Sequence, residues 1–329
     1  MIDTYAAAQP SNQATAATKT ILQVATVEQY AENVLTLDLH HPDGHRLPDW
    51  TPGAHLDVLL PNGVSRQYSL CGDRWDPYRY RLGVLLDAHS RGGSHYIHES
   101  LRPGDRVGVG GPRNNFALVP SRRYLFIAGG IGITPILPMI QQAELVGADW
   151  SLVYAGRRRA TMAFTDEVIS YGSRVHLWPA DETGRPDLPA LLATADYATK
   201  VYCCGPAGLL AATEAACRHW PPYSLHTERF VGQDPLRAAR NQPFEVELRR
   251  SGLTVMVPPD LSVLDAVQCA GIDTLTSCRQ GICGTCETGV LEGLPDHRDS
   301  ILADHERDAN DCMFVCVSRS RTDRLVLDL

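Results

Sequence analysis

Nowhere in this chain do about 18 apolar residues run together, so no membrane-spanning helix is expected. The opening stretch, MIDTYAAAQPSNQATAATKT, has no basic n-region and no apolar run, which argues against a secretory signal. Residues 1–19 read as a disordered tail, and the protein is expected in the cytoplasm with its thiols reduced unless metal holds them. An excess of positive charge is also missing: the net charge is −8, which argues against a nucleic-acid partner. From residue 242 onward there is no lysine, and 15 Asp and Glu face 8 Arg, giving −7 and leaving −1 for everything before. That acidic segment is either a docking face for a basic partner or a solvated surface. Internal repeats are absent. Apolar residues are not scarce: they make up 44% of 329 residues, enough for two or three domains with real cores. Disulfides are therefore not needed for stability, and the ten cysteines call for another reading.

Three blocks differ in texture. From 20 to 117, short strands such as VLTLDLH, HLDVLL, YRYRLGVLL and DRVGVG alternate with Pro-Gly, Asn-Gly and Gly-Gly turns. Period two at this spacing predicts an antiparallel barrel or sandwich. From 118 to 230, strands and helices take turns. RRYLFIAGG, WSLVYAGR, RVHLWPA and TKVYCCGP read as strands, and TPILPMIQQAELVGA and AGLLAATEAACRHW as helices, which predicts a doubly wound parallel sheet. Residues 231–242 read as a linker. From 243 to 329, FEVELRRSGLTVMVPP reads as a hairpin around R-S-G, SVLDAVQCAG as a short helix ended by Gly271, and RLVLDL as a closing strand.

The cysteines are clustered. Cys278, Cys283 and Cys286 stand at C-x4-C-x2-C, the spacing of plant-type 2Fe–2S loops. Such a cluster needs four thiolates converging from a loop that wraps closely. Gly281 and Gly284 remove side chains where backbone must approach and can take positive φ. Backbone N–H groups in such a loop can point at the sulfurs. Cys312 and Cys316 are both candidates for the fourth ligand, and spacing alone does not choose. Zinc or free thiols are the alternative, although zinc loops more often carry two C-x2-C pairs and only one is present. Cys71, Cys203, Cys217 and Cys269 are expected as small buried apolar residues.

Three further stretches carry weaker signals. In R-Q-Y-S-L, Arg66 can bind a phosphate and Tyr68 can lie against a flat ring, both on one face of a strand. S-R-G-G-S at 90–94 precedes an expected helix, HYIHESL, and could be an anion site or a flexible turn. A-G-G-I-G-I-T-P at 128–135 joins strand to helix, with Thr134 expected as N-cap and Pro135 as first helical residue. It departs from G-x-G-x-x-G, because Pro135 stands at the third glycine. C-G-P at 204–206 ends a strand, and ligands of open α/β sheets bind at such ends.

In this order, RxYS, the glycine pair with Ser, GGxGxTP, CGP and a ferredoxin-type cysteine loop, residues 20–329 resemble the phthalate dioxygenase reductase family, which includes vanillate demethylase reductases. The family falls within the ferredoxin–NAD(P)H reductase superfamily. The resemblance implies a flavin-binding antiparallel barrel, an NAD-binding α/β domain and a β-grasp ferredoxin domain. It implies FMN, NADH rather than NADPH, and a 2Fe–2S cluster. Arg66 would hold the flavin phosphate, Tyr68 would lie against the ring and Ser69 near flavin N5. Gly83, Val84 and Leu85 match the second flavin strand, and Arg91, Gly92, Gly93 and Ser94 the phosphate loop. Gly130, Gly132 and Thr134 match the nicotinamide–pyrophosphate loop, and Cys204, Gly205 and Pro206 the motif beside nicotinamide C4. Arg157 matches an adenosine contact, within a run (Arg157, Arg158, Arg159) basic enough to accommodate a 2′-phosphate. Glu228-Arg229-Phe230 resembles the end of the NAD domain, near the flavin. Among the candidates for the fourth ligand, C-V-S-R favours Cys316. Ser69, Thr134 and Cys204 would shape the reacting site, and no acid–base pair stands out. The implied role is the reductase component that feeds a Rieske-type oxygenase. The same electron chain serving a cytochrome P450, and a non-enzymatic redox-sensing or zinc-binding protein, are the alternatives.

Overall fold

The computed structural model describes residues 20–88, 92–193, 198–231, 242–302 and 304–329. The tail, Arg91 and all but the ends of the expected linker lie outside them.

The first sheet has six antiparallel strands: β1 (Thr20–Ala31), β2 (Val34–His40), β3 (His55–Leu59), β4 (Ser65–Ser69), β5 (Tyr80–Leu85) and β6 (Arg106–Arg113). They run in the order β4-β3-β6-β1-β2-β5. The β1–β2 hairpin turns through Asn33, whose φ of 63° is one that asparagine tolerates. A Leu70–Leu82 bridge and the Cys71 N–H, which donates to the Arg81 carbonyl at 2.9 Å, join the two outer strands. The sheet thereby closes around Leu22, Leu37, Leu39, Leu56, Val58, Leu82 and Val84. A short helix, α1 (Gly93–Glu99), sits against it and begins two residues before the expected HYIHESL.

The second sheet is parallel, in the order β11-β10-β7-β8-β9. Its strands are β7 (Arg123–Gly129), β8 (Asp149–Gly156), β9 (Val175–Pro179), β10 (Lys200–Cys204) and β11 (Leu225–Glu228). Helices α2 (Ile133–Leu145), α3 (Thr165–Ile169), α4 (Ala180–Thr183), α5 (Leu188–Ala193) and α6 (Ala207–Ala216) connect them. Phe126, Trp150, Tyr154 and Tyr202 fill the core on one face, and Ile127, Val153 and Val201 on the other. Near-continuous burial of β7 and β10 is what a strand covered on both faces requires. Helix α6 stops at Ala216, four residues short of the expected Trp220. Pro221 and Pro222 follow, and a residue before proline avoids helical backbone. Strand β11 carries no period in LHTE and was not foreseen; pairing with β10 creates it.

The third sheet has the order β13-β12-β18-β14-β16. It comprises β12 (Phe244–Leu248), β13 (Leu253–Val257), β14 (Glu287–Glu292), β16 (Cys312–Phe314) and β18 (Arg324–Leu327); β15 (Pro295–Asp296) pairs with β17 (Arg319–Ser320) separately. Strands β12 and β18 run parallel and the other pairs antiparallel. Helix α7 (Val263–Cys269) packs Val263, Leu264 and Val267 into the sheet's core, and α8 (Asp304–Ala309) lies further along the chain. The Ser262 hydroxyl accepts from the Asp265 N–H at 3.0 Å to cap α7, and Gly271 follows its end at φ 84°. A mixed sheet crossed by one helix in this connection is the β-grasp arrangement. Cys71, Cys203 and Cys217 are buried as expected, but Cys269 is exposed. It is the last residue of α7, off the face that Val263, Leu264 and Val267 bury.

Candidate functional site

The glycines report which loops meet. A Cβ on Gly93 would lie 2.5 Å from Arg66 Cγ, so the β4 arginine lies against the start of α1. Ser94 is buried there, and its hydroxyl accepts from the Asp87 N–H at 3.2 Å. The structure thus brings Arg66 together with Gly93. A Cβ on Gly83 would stand 2.7 Å from Thr134 Cγ2, which brings the second flavin strand onto the glycine turn after β7. A Cβ on Gly132 would meet the Cys204 carbonyl oxygen at 2.3 Å, so the turns after β7 and β10 touch backbone to backbone. Parallel pairing of β7 with β10 puts these two loops at the same sheet edge.

Thr134 is not the N-cap. Gly130–Gly132 form a 3-10 turn that runs straight into α2, so the helix starts at Ile133 with Gly132 as N-cap. Thr134 and Pro135 become the second and third helical residues, and the Thr134 hydroxyl donates to the Ile131 carbonyl at 2.9 Å. Arg157 is exposed, just past the end of β8, which pairs in parallel with β7. Its neighbours are engaged: Arg158 pairs with Glu32 at 2.7 Å and Arg159 with Glu182 at 2.9 Å. Leu85 is exposed, whereas Val84 is buried and its carbonyl meets His98 Nε2 at 3.0 Å.

Parallel register places Glu228 beside Cys204, with Sγ to Oε2 at 3.9 Å. Glu228 as a residue is partly accessible, but its carboxyl faces inward. Burial pushes its pKa up to about 8, while the Cys204 thiol opposes this slightly. Burial likewise drives the Cys204 thiol well above its ordinary value.

One pocket joins the three sheets. His55, Gln67, Tyr68 and Ser69 line it from the barrel, Glu228, Arg229 and Phe230 from the end of β11, and Ile282 from the cysteine loop. Gly284 of that loop also packs toward Asn115, just beyond β6. His55 and Ile282 went unmarked in the sequence, because a lone histidine in a buried strand and an isoleucine between ligands carry no spacing signal.

The loop itself holds its sulfurs in two pairs. The Cys278 and Cys283 side chains interact, and so do those of Cys286 and Cys316. In each pair one sulfur is favoured as thiolate: Cys283 is held down to about 6, chiefly by Cys278, and Cys316 is lowered chiefly by Cys286. Backbone N–H groups aim at sulfur as expected, Gln280 at Cys278 (3.3 Å) and Thr285 at Cys283 (3.4 Å). Gly281 and Gly284 have φ of 66° and 76°. A Cβ on Gly281 would strike Val317 Cγ2 at 2.6 Å, so the loop wraps too closely for a side chain there. Among the described residues no three of these sulfurs lie within 4.8 Å of one another. Two close pairs suit two irons, each taking two thiolates, better than one tetrahedral zinc, which draws four sulfurs to about 2.3 Å. Cys312 lies elsewhere: it pairs with Gly289 across β14–β16, and burial with the charges of Glu287 and Asp311 pushes it up to about 11. Asp299, another residue that spacing did not mark, is fully buried and accepts the Ile301 and Leu302 N–H groups at 3.1 and 2.9 Å. The neighbouring Ser300 N–H donates to the Gly281 carbonyl at 2.9 Å, pinning the loop.

Comparison with known proteins agrees with these features. The family described as "2Fe-2S iron-sulfur cluster binding domain" matches residues 246–321. Phenoxybenzoate dioxygenase subunit beta of Ectopseudomonas oleovorans is 43% identical over 311 residues, covering 94% of this chain and 97% of the relative. An intact type IV self-sufficient cytochrome P450 monooxygenase matches with a TM-score of 0.88 and 44% identity over 94% of this chain, which spans only 41% of that longer protein. The structure of phthalate dioxygenase reductase, described as modular for electron transfer from pyridine nucleotides to [2Fe-2S], matches with a TM-score of 0.70 and 36% identity over 95% of this chain and 98% of that one. Sharing the modules, their order and nearly the full length, this chain belongs to the phthalate dioxygenase reductase family.

Proposed function

We propose that this chain is the NADH-dependent reductase component of a Rieske-type oxygenase system. The observation that carries the reading is the pocket in which Ser69, Phe230 and Ile282 converge from three sheets. When bound, FMN takes two electrons together and releases them singly, and the 2Fe–2S cluster accepts them one at a time. Arg66, with Gly92, Gly93 and Ser94, holds the flavin phosphate, and Tyr68 and Ser69 orient the ring. Gly130, Gly132, Thr134 and the Cys204–Pro206 turn hold the nicotinamide at the near contact that hydride transfer requires. Cys278, Cys283, Cys286 and Cys316 hold the cluster. Domains run 20–117, 118–230 and 243–329, with a linker at 231–242. Engagement of Arg158 and Arg159 by carboxylates leaves less cation for a 2′-phosphate and favours NADH. Among the described residues no helix is long and apolar enough to cross a membrane; a cytoplasmic location is part of the same reading.

The match to a self-sufficient P450 supports a second acceptor, a P450 haem domain, for the same chain of carriers. Anaerobic NADH titration of purified protein tests the common part. Flavin bleaching followed by a reduced-cluster EPR signal is expected, and a colourless protein or one silent to NADH overturns it. Reconstituted turnover with an oxygenase or a P450 separates the two acceptors.

Glu228 makes this chemistry pH-dependent. Its carboxyl is neutral below about 8 and ionises above, placing a negative charge beside Cys204. NADH bleaching of the flavin is expected to slow as pH rises through about 8, and Glu228→Gln to flatten that limb. The unfolded carboxyl loses its proton near 4.5, so Glu228's contribution to folding is complete below that value and is lost as pH rises toward about 8. A stopped-flow pH profile identical in wild type and Glu228→Gln counts against the assignment.

A further inference from the structure

His55 opens β3 and is 5% exposed. Its Nε2 is buried and finds no hydrogen-bond partner among the described residues. Native proteins leave few such atoms, because an unpaired buried polar group forfeits its hydration without return. The β3–β4 ladder places His55 directly opposite Ser69. Opposed residues of an antiparallel pair project to the same face, within side-chain reach. Two residues along β3, Asp57 is satisfied by Gln67 at 2.9 Å and by the Arg113 guanidinium. The unpaired nitrogen therefore belongs to the strand end that meets the pocket, and the same pocket is lined by Phe230 and Ile282. Burial, and then the Arg113 charge, hold the imidazole down to about 4, so it is neutral at working pH and carries one donor and one acceptor.

We propose that His55 is a positioning residue of the flavin pocket, its free ring nitrogen hydrogen-bonding the flavin beside Ser69 and fixing the pose of the ring relative to Ile282 and the cysteine loop. The proposal rests on the FMN reading above. It assigns His55 to the outgoing, one-electron half of the reaction. The pocket that His55 lines includes Ile282 of the cysteine loop but none of Gly132, Thr134 and Cys204, the residues proposed for the nicotinamide.

His55→Gln and His55→Met test it in the cofactor-loaded protein. The two side chains have similar shape, and only glutamine keeps a hydrogen-bonding tip. Flavin content, flavin midpoint potential, NADH bleaching and the appearance of the reduced-cluster EPR signal are measured on each. In His55→Met, cluster reduction is expected to slow about tenfold, the loss of one buried hydrogen bond, with a shifted flavin potential. NADH bleaching is expected to change by less than about threefold, and His55→Gln to recover most of the loss. Equal losses in both variants, or no change in either, overturn the role. Should neither variant fold, a structure of the FMN-loaded wild type decides: a His55 ring nitrogen within about 3.2 Å of a flavin heteroatom supports the role, and a longer separation refutes it. A wild type that takes up no FMN overturns the reading of function and this proposal together. An FMN-loaded wild type with insensitive variants overturns the role of His55 alone.

Discussion

Replacing Cys283 by serine is expected to abolish one-electron delivery while NADH still bleaches the flavin. Cys283 is the buried sulfur that Cys278 and the Thr285 N–H both address, and it is the one held down to about 6. A serine hydroxyl ionises too reluctantly to serve as a comparable ligand. Cytochrome c reduction is expected to fall by about 100-fold or more, with loss of iron, of acid-labile sulfide and of the EPR signal after dithionite. Cys316→Ser is expected to behave alike. Cys312→Ser is the control: it sits on β16 away from the paired sulfurs, and cluster content and turnover are expected to stay within about twofold of wild type, as for substitutions remote from a site. Full cytochrome c reduction by Cys283→Ser would mean that the flavin alone feeds the acceptor, and the cluster would lose its place in the chain of carriers.

A single methyl group at Gly132 is expected to do comparable damage to the other half of the reaction. A Cβ there lies 2.3 Å from the Cys204 carbonyl oxygen, 2.5 Å from its carbon and 2.7 Å from the Gly205 nitrogen. All three are backbone atoms, so no rotamer change relieves the clash, and the two loops must part. Overpacking of this kind costs about 1–3 kcal/mol of stability. The functional loss is expected to be larger, because misplacing reacting groups by about 1 Å can cost 100-fold in rate. Gly132→Ala is therefore expected to keep its flavin and cluster but lose about 100-fold in kcat/KM for NADH. Gly208→Ala, in the first turn of α6 where a Cβ meets nothing, is the matching control. Its melting temperature is expected to stay level or rise slightly, since alanine favours helix over glycine by about 1 kcal/mol. Wild-type NADH kinetics in Gly132→Ala would show that the approach of the two loops does not shape the nicotinamide pocket.

What was legible in the chain follows from signals that are local. VLTLDLH and HLDVLL survive as β2 and β3, although both are buried along nearly their whole length and their acidic positions are met by partners, Asp38 by Arg81 and Asp57 by Gln67. The continuous apolar runs RRYLFIAGG and KVYCC survive as β7 and β10, because a parallel strand is covered on both sides. R-S-G between two alternating runs marks the β12–β13 hairpin, and Gly271 marks the end of α7. Boundaries were less legible. The start of α2 moved to Ile133 because three residues of 3-10 turn feed the helix, something Thr134 and Pro135 do not announce. LHTE has no period of its own and becomes β11 only through its neighbour β10.

The sequence by itself determined the chemistry on offer: three thiols at ligand spacing, an Arg-Tyr-Ser strand, and glycine turns at the ends of buried strands. It did so because ligand identity and turn geometry are properties of a few adjacent residues. Tertiary structure alone decided how those pieces face each other. It set Cys316 rather than Cys312 against Cys286, drew Gly132 onto Cys204, and brought His55, Glu228 and Ile282 to one pocket. Those contacts join residues far apart in the chain through strand pairing and close packing, and no local pattern encodes them.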